Sequence, residues 1–220
     1  VVSPHWQTRG VRVATTPAPA TIHDFGGFPA PLFALQYTPP GAPPLADAAL
    51  ALLRGAGFDA SADPARGLDH GAWVPLRYLR PDADLPVFQV SLPHDLAPAG
   101  ALALGRALAP LREQGVLVVG SGSLTHNLYE FRQHVRDPEY AAEFADWVAT
   151  AIARGDRDAL VDYRARAPHA ARAHPTEEHY LPLLVAVGAA DPDERGERVP
   201  GGMTYGTLSM DSFGFGLPAH

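Results

Sequence analysis

Ten histidines and no cysteine set the terms of any metal chemistry in this chain of 220 residues. Disulfides, thiolate nucleophiles and Cys-ligated zinc or iron–sulfur sites are excluded, so a metal must be held by imidazole and carboxylate. Two of the histidines follow buried-type strands. His5 comes after Val1-Val2-Ser3-Pro4, and His126 comes after Val-Leu-Val-Val-Gly-Ser-Gly-Ser-Leu-Thr. In open α/β sheets ligands collect beyond the carboxyl ends of the strands, where both rings are expected. The plainer alternative for each is a histidine that caps a strand or satisfies a loop carbonyl. His179 lies in Pro175-Thr176-Glu177-Glu178-His179-Tyr180-Leu181-Pro182. The pattern predicts the first turn of an apolar helix capped by Thr176, whose positive end suits the two glutamates and disfavours imidazolium. His179 is then neutral, the form that binds metal. Glu177 and Glu178 are either partners of that ring or a solvated helix start.

His70, in Gly67-Leu68-Asp69-His70-Gly71-Ala72-Trp73, marks a tight turn before a short helix, either a structural Asx turn or part of a site. His23-Asp24-Phe25-Gly26-Gly27-Phe28-Pro29 is a similar case inside a long loop. Its Asp-Phe-Gly is no kinase signature, because no Gly-rich nucleotide loop or strand lysine accompanies it. Gly120-Ser121-Gly122-Ser123 lacks the third glycine of a dinucleotide fingerprint and is no nucleophile elbow. His94, His134, His169, His174 and His220 read as surface histidines.

The elements that must position these residues alternate between strand and helix. Val1 to Ser3 reads as the end of a buried strand, Val11 to Thr16 as a second, Val87 to Leu92 as a third. Gly115 to Gly120 reads as a fully buried strand because its apolar run does not alternate. Thr204 to Phe213 is expected to be a closing strand. Helices are expected over Ala46–Arg54, Val74–Leu79, Ala99–Gln114, Tyr140–Arg154, Asp156–Ala165 and Glu177–Ala189, with a short one near Leu32–Gln36. This alternation predicts an α/β sandwich with a mostly parallel central sheet flanked by helices, in a single domain over residues 1–220. The composition, 46% hydrophobic and 19% charged, is that of a folded globular chain. All 17 basic residues are arginine against 24 acidic ones, a net charge of −7 that offers no field for phosphate backbones or anionic lipid. Neither nucleic acid nor membrane is expected as a partner. No signal peptide is seen, and the expected compartment is the cytoplasm.

Five motifs occur in a fixed order: Ser3-Pro4-His5-Trp6, Thr21 to Pro29, Leu68-Asp69-His70-Gly71-Ala72-Trp73, Ser121 to Leu128 with His126 at its centre, and Glu178-His179-Tyr180-Leu181-Pro182-Leu183. Together they resemble the class III extradiol ring-cleaving dioxygenases, in the branch similar to DOPA 4,5-dioxygenase, across essentially the whole chain. The resemblance implies an α/β sandwich, a catechol-type aromatic diol and dioxygen as substrates, and a non-haem metal, Fe(II) expected and Zn(II) possible. It implies that His5 and His179 are metal ligands, with His126 beside the metal as acid/base or further ligand. His70 is implied as a second catalytic histidine near the substrate hydroxyls. His23, Asp24 and Phe25, with Tyr180, are the expected substrate contacts. His5 and His179 are accordingly expected to share one metal. Ring opening beside a diol needs a base for a hydroxyl and an acid afterwards, and a histidine near neutral pH serves both. The family normally supplies a further ligand from a Gly-His-Gly-type motif at an earlier strand, which this sequence does not contain. The chain is thus expected to be N-terminally incomplete, with Val1 and Val2 in a central buried strand. A zinc-dependent hydrolase using the same histidines, or a catalytically silent zinc-binding member, are the alternatives.

Overall fold

The computed structural model describes residues 1–135 and 137–217; His220 lies outside the described residues. The fold is mixed α/β with a mostly parallel sheet, and the described chain forms two compact units. The first comprises Val1–Leu96 with Ala107–Ser121, the second Ala97–Arg106 with the residues from Gly122 onward.

In the first unit, β1 (Val2–Thr8), β2 (Val11–Ala14), β3 (Ala60–Asp63) and β4 (Val90–Pro93) form one sheet in the order β1-β4-β2-β3. β1 runs parallel to β4 and β2 parallel to β3, whereas β2 meets β4 antiparallel at Val13 and Val90. β2 alternates, with Val11 and Val13 buried and Arg12 exposed, as a half-buried strand should. β1 does not. Its pairing to β4 slips between Val2 and Gln7, around Pro4, which has no N–H to give the ladder. Within this irregular stretch Pro4 and Trp6 are buried and His5 is turned out to solvent. β4 is buried through Val90, Ser91 and Leu92, and the Ser91 hydroxyl is taken up by Thr8 (2.6 Å) and the Arg12 N–H (2.8 Å). α1 (Pro43–Gly55) buries Ala46, Ala49, Leu50 and Leu53, a single helical stripe, against β2 and β3. α2 (His70–Leu79) packs on β1 and buries Ala72, Trp73 and Leu76.

The second unit is mainly helical. α3 (Pro98–Leu108), which belongs to it through Arg106, crosses α9 (Leu181–Ala189) at a pair of glycines. A Cβ on Gly105 would overlap the Val185 carbonyl, and one on Gly188 the Leu102 carbonyl. Between them come α4 (Leu128–Arg132), α5 (Pro138–Arg154), α6 (Arg157–Val161), α7 (Tyr163–Arg166) and α8 (Ala170–Ala173). Phe144 of α5, Tyr163, His174 and Tyr180 fill the centre, with Tyr163 stacked on Tyr180 at 4.0 Å. Two short antiparallel pairs close the unit: β5 (Glu197–Val199) with β8 (Ser212–Gly214), and β6 (Met203–Thr204) with β7 (Leu208–Ser209). The Thr125 hydroxyl ties the second pair to the chain before His126, donating to the Thr207 carbonyl (2.8 Å) and accepting from the Ser209 N–H (2.7 Å).

Several expectations change. Residues 115–120 are not a buried strand: of this segment only Gly120 pairs, in an isolated bridge to Val2, and Leu117 is 77% exposed, because the apolar run meets a partner at its end alone. Residues 204–213 are two hairpin halves rather than one strand, broken by the turn at Tyr205 and Gly206, both at positive φ. The helix expected over Ala99–Gln114 ends at Leu108 and finishes as a 3-10 turn from Ala109, where Pro110 removes an N–H. His174 is no surface histidine but a fully buried one. Among the described residues no helix is long and apolar enough to cross a membrane.

Candidate active site

In the first unit, β1 brings His5 and the start of α2 brings His70 to within 3.9 Å, ring centre to ring centre. The approach requires Gly71: a Cβ there would overlap the Ser3 hydroxyl and stand 2.9 Å from His5 Cδ2. Asp69 caps α2 by accepting the Ala72 N–H at 3.2 Å, which sets the first helical turn and with it His70. From the long loop Asp24 completes the group. Its Oδ1 accepts the His70 backbone N–H at 2.8 Å and lies 3.0 Å from the ring Nδ1. That second approach is out of line for a hydrogen bond, so the buried Nδ1 has none. Burial pushes the Asp24 carboxyl up, but the His70 N–H, ring and charge outweigh it and hold the group below its ordinary value.

Beside this cluster stands an aromatic wall. Phe25 lies 5.0 Å from Phe33, 5.6 Å from Phe28 and 5.6 Å edge-on to His70. His23 sits 5.8 Å from both Phe25 and Trp73 and gives its Nε2–H to the Leu35 carbonyl at 2.8 Å. The Trp73 indole N–H donates to the Ile22 carbonyl at 3.0 Å, pinning the loop to α2. Phe28 is 56% and Phe33 39% exposed, so the wall faces outward.

In the second unit His126 and His179 stack face to face, centres 3.3 Å apart and planes 12° from parallel. The Ser123 N–H donates to the His179 carbonyl at 3.0 Å and the His126 N–H to the Ala173 carbonyl at 2.8 Å. Gly122 permits the first contact, because a Cβ there would overlap that same His179 carbonyl. Glu178 Oε1 lies 3.0 Å from His179 Nδ1 and accepts the Thr176 hydroxyl at 2.8 Å. The bond to His179, ahead of the burial that opposes it, holds the Glu178 carboxyl at about 2. His179 occupies the turn before α9 rather than the first turn of the helix, and Thr176 serves Glu178 rather than capping. Glu178 is therefore the ring's partner, and Glu177 is taken by Arg164 (2.9 Å) and the Tyr163 hydroxyl (3.1 Å).

The donor chemistry fits a divalent metal in both places. His5, Asp24 and His70 form one group, and His126, Glu178 and His179 the other. In each the candidate ligand atoms lie within 4.8 Å of one another. Two imidazoles with one carboxylate is the set that holds non-haem iron and equally accepts zinc. The buried Nδ1 of His70 without a hydrogen bond, next to a carboxylate, is what a missing ligand leaves behind. His5 belongs to the first unit and His179 to the second. Tyr180 is the expected substrate contact that belongs to the second unit. It is fully buried, its hydroxyl donated to the Leu160 carbonyl at 3.0 Å. Asp24 as partner of His70 escaped sequence reasoning, since 46 positions separate them.

The family described as the catalytic LigB subunit of aromatic ring-opening dioxygenase matches residues 1–216. A "4,5-DOPA dioxygenase extradiol" of Beta vulgaris is 40% identical over 98% of this chain and 81% of its own length. The protein of the same description from Escherichia coli K12 is 39% identical, with the same shares covered. A crystal structure of an uncharacterized E. coli K12 protein superposes with a TM-score of 0.80 at 33% identity, covering 96% of this chain and 83% of that one.

Proposed function

Because the chain belongs to the LigB family of aromatic ring-opening dioxygenases, an extradiol enzyme family, we propose that it cleaves a catechol-type ring beside its two hydroxyls with dioxygen, using a divalent non-haem metal. The observation that carries the metal is the pair of clusters, each of two imidazoles and one carboxylate within ligand distance. His5 and His179 are its proposed ligands; that both serve one ion rests on the sequence resemblance. A divalent metal held there would bring the diol and dioxygen together and let electron density pass from the diol to dioxygen, the diol being oxidised, the metal unchanged overall, and both oxygen atoms entering the opened product.

The chain's own groups do the rest. His126, seated by its backbone N–H on the Ala173 carbonyl, takes a proton from one substrate hydroxyl and returns it as the ring opens. His70, held at its backbone N–H by Asp24, stands at the second hydroxyl. Phe25 and His23 offer ring faces and edges to the aromatic substrate, and Asp24 bears on its polar edge.

Oxygen uptake on a catechol panel beginning with DOPA, measured on protein loaded in turn with iron(II) and zinc, tests the reading. Uptake with iron is expected. Hydrolysis with zinc and no uptake would make the protein a zinc hydrolase, and neither activity would make it a silent zinc-binding member.

A further inference from the structure

Asp69 is a fully buried carboxylate one residue before His70, and it does more than cap α2. Its Oδ2 accepts Arg66 Nη2 at 2.9 Å and also the side-chain amide of the buried Gln89, immediately before β4. The Arg66 guanidinium lies 4.9 Å over the ring of Trp6, one residue after His5. The neighbours of both histidines are thus joined through one arginine. On the other side of His70, Gly71 rests against Ser3 and His5 with no room for a methyl group.

We propose that Trp6, Arg66 and Asp69 form a clamp that sets the separation of His5 and His70. These are positioning residues, remote from the reacting atoms. The inference rests on the reading that those two histidines serve the diol and its metal. A buried ion pair contributes little net stability, since burial costs about what the attraction returns. What such a pair does supply is a fixed geometry: the planar guanidinium can lie flat on a ring face while its edge meets a carboxylate, an orientation that the point charge of a lysine ammonium does not fix.

Three variants separate positioning from mere support: Arg66→Met, Asp69→Asn and the double variant carrying both. Each single change strands a buried partner and lowers the thermal midpoint. The double change leaves no unpaired charge and should recover most of it. The expected result is that kcat does not recover with stability. It stays about 10- to 100-fold down in the double variant with KM within roughly twofold, the loss typical of removing a partner that orients an active-site histidine. A second readout needs neither metal nor turnover. In the metal-free protein the nuclear Overhauser contact between the His5 and His70 rings should be present in the wild type and fall by more than half in the double variant. Should wild-type protein show no oxygen uptake, the proposed function fails and the ring contact alone decides the clamp. A double variant that keeps the contact at full strength, or turns over at the wild-type rate per folded molecule, overturns the proposal. So does a change confined to KM.

Discussion

Exchanging His126 for alanine and exchanging His179 for alanine should give different failures, although the two rings touch. His126→Ala should abolish ring cleavage and leave most of the metal bound, because its proposed work is proton transfer. His179→Ala should lose metal and activity together. Metal content per chain and oxygen uptake, measured side by side, check this, and metal loss in step with activity in His126→Ala would make that residue a ligand. Glu178→Gln should weaken metal binding about 10- to 100-fold, because the carboxylate that holds the His179 ring is lost. Sequence was informative at this scale where the chemistry is local. The adjacency of Glu178 and His179 already offered a carboxylate to the ring. It was uninformative where partners are distant, as for Asp24 with His70. His174 shows a further blindness: nothing next to it in Ala-His-Pro tells that Phe144 and Tyr163, from other elements, close around it.

Among the elements, helices with a single apolar stripe were legible, and α1 and α5 lie close to their expected bounds. The apolar run at residues 116–119 misled because burial of a strand depends on what lies on both sides, and periodicity cannot count neighbours. The crossing of α3 with α9 was equally invisible, since a glycine in a helix reads only as a weakness. In the structure Gly105 and Gly188 are where two backbones touch. Gly188→Ala should therefore destabilise the protein by about 1–3 kcal/mol, despite alanine's better helix propensity, because both obstructions are backbone. Denaturant unfolding measures it, and a gain in stability would mean the helices can part without cost.

For the molecule as a whole, acid should act first through the second unit. Burial lowers His174 from 6.5 to about 4, and its Nε2–H is already given to the Leu124 carbonyl at 2.9 Å. Above pH 6.5 the ring is neutral folded or unfolded and costs nothing. Between 6.5 and about 4 the unfolded chain takes up a proton that the folded one refuses, so stability falls, by on the order of 3 kcal/mol in all. Glu178 continues the trend: its stabilisation is present above pH 4.5 and is lost as pH falls toward about 2. Unfolding free energies at pH 7, 5.5 and 4.5 should show the decline, and His174→Gln should flatten its upper part. A parallel decline in that variant would place the sensitivity elsewhere. The fold class was readable from alternating strands and helices, whereas the division into two compact units was not, because α3 and the segment after it pass between them without any break in composition.

The single hydroxyl of Thr125 holds both Thr207 and Ser209, and its partner at position 207 lies 82 positions further on. During synthesis, at roughly 5–20 residues per second, that gap is about 4 to 16 seconds. Until the later segment exists, the turn leading into His126 has neither of these anchors. The loop that carries the proposed proton-transfer group is thus finished only once a stretch 82 positions further along has been made.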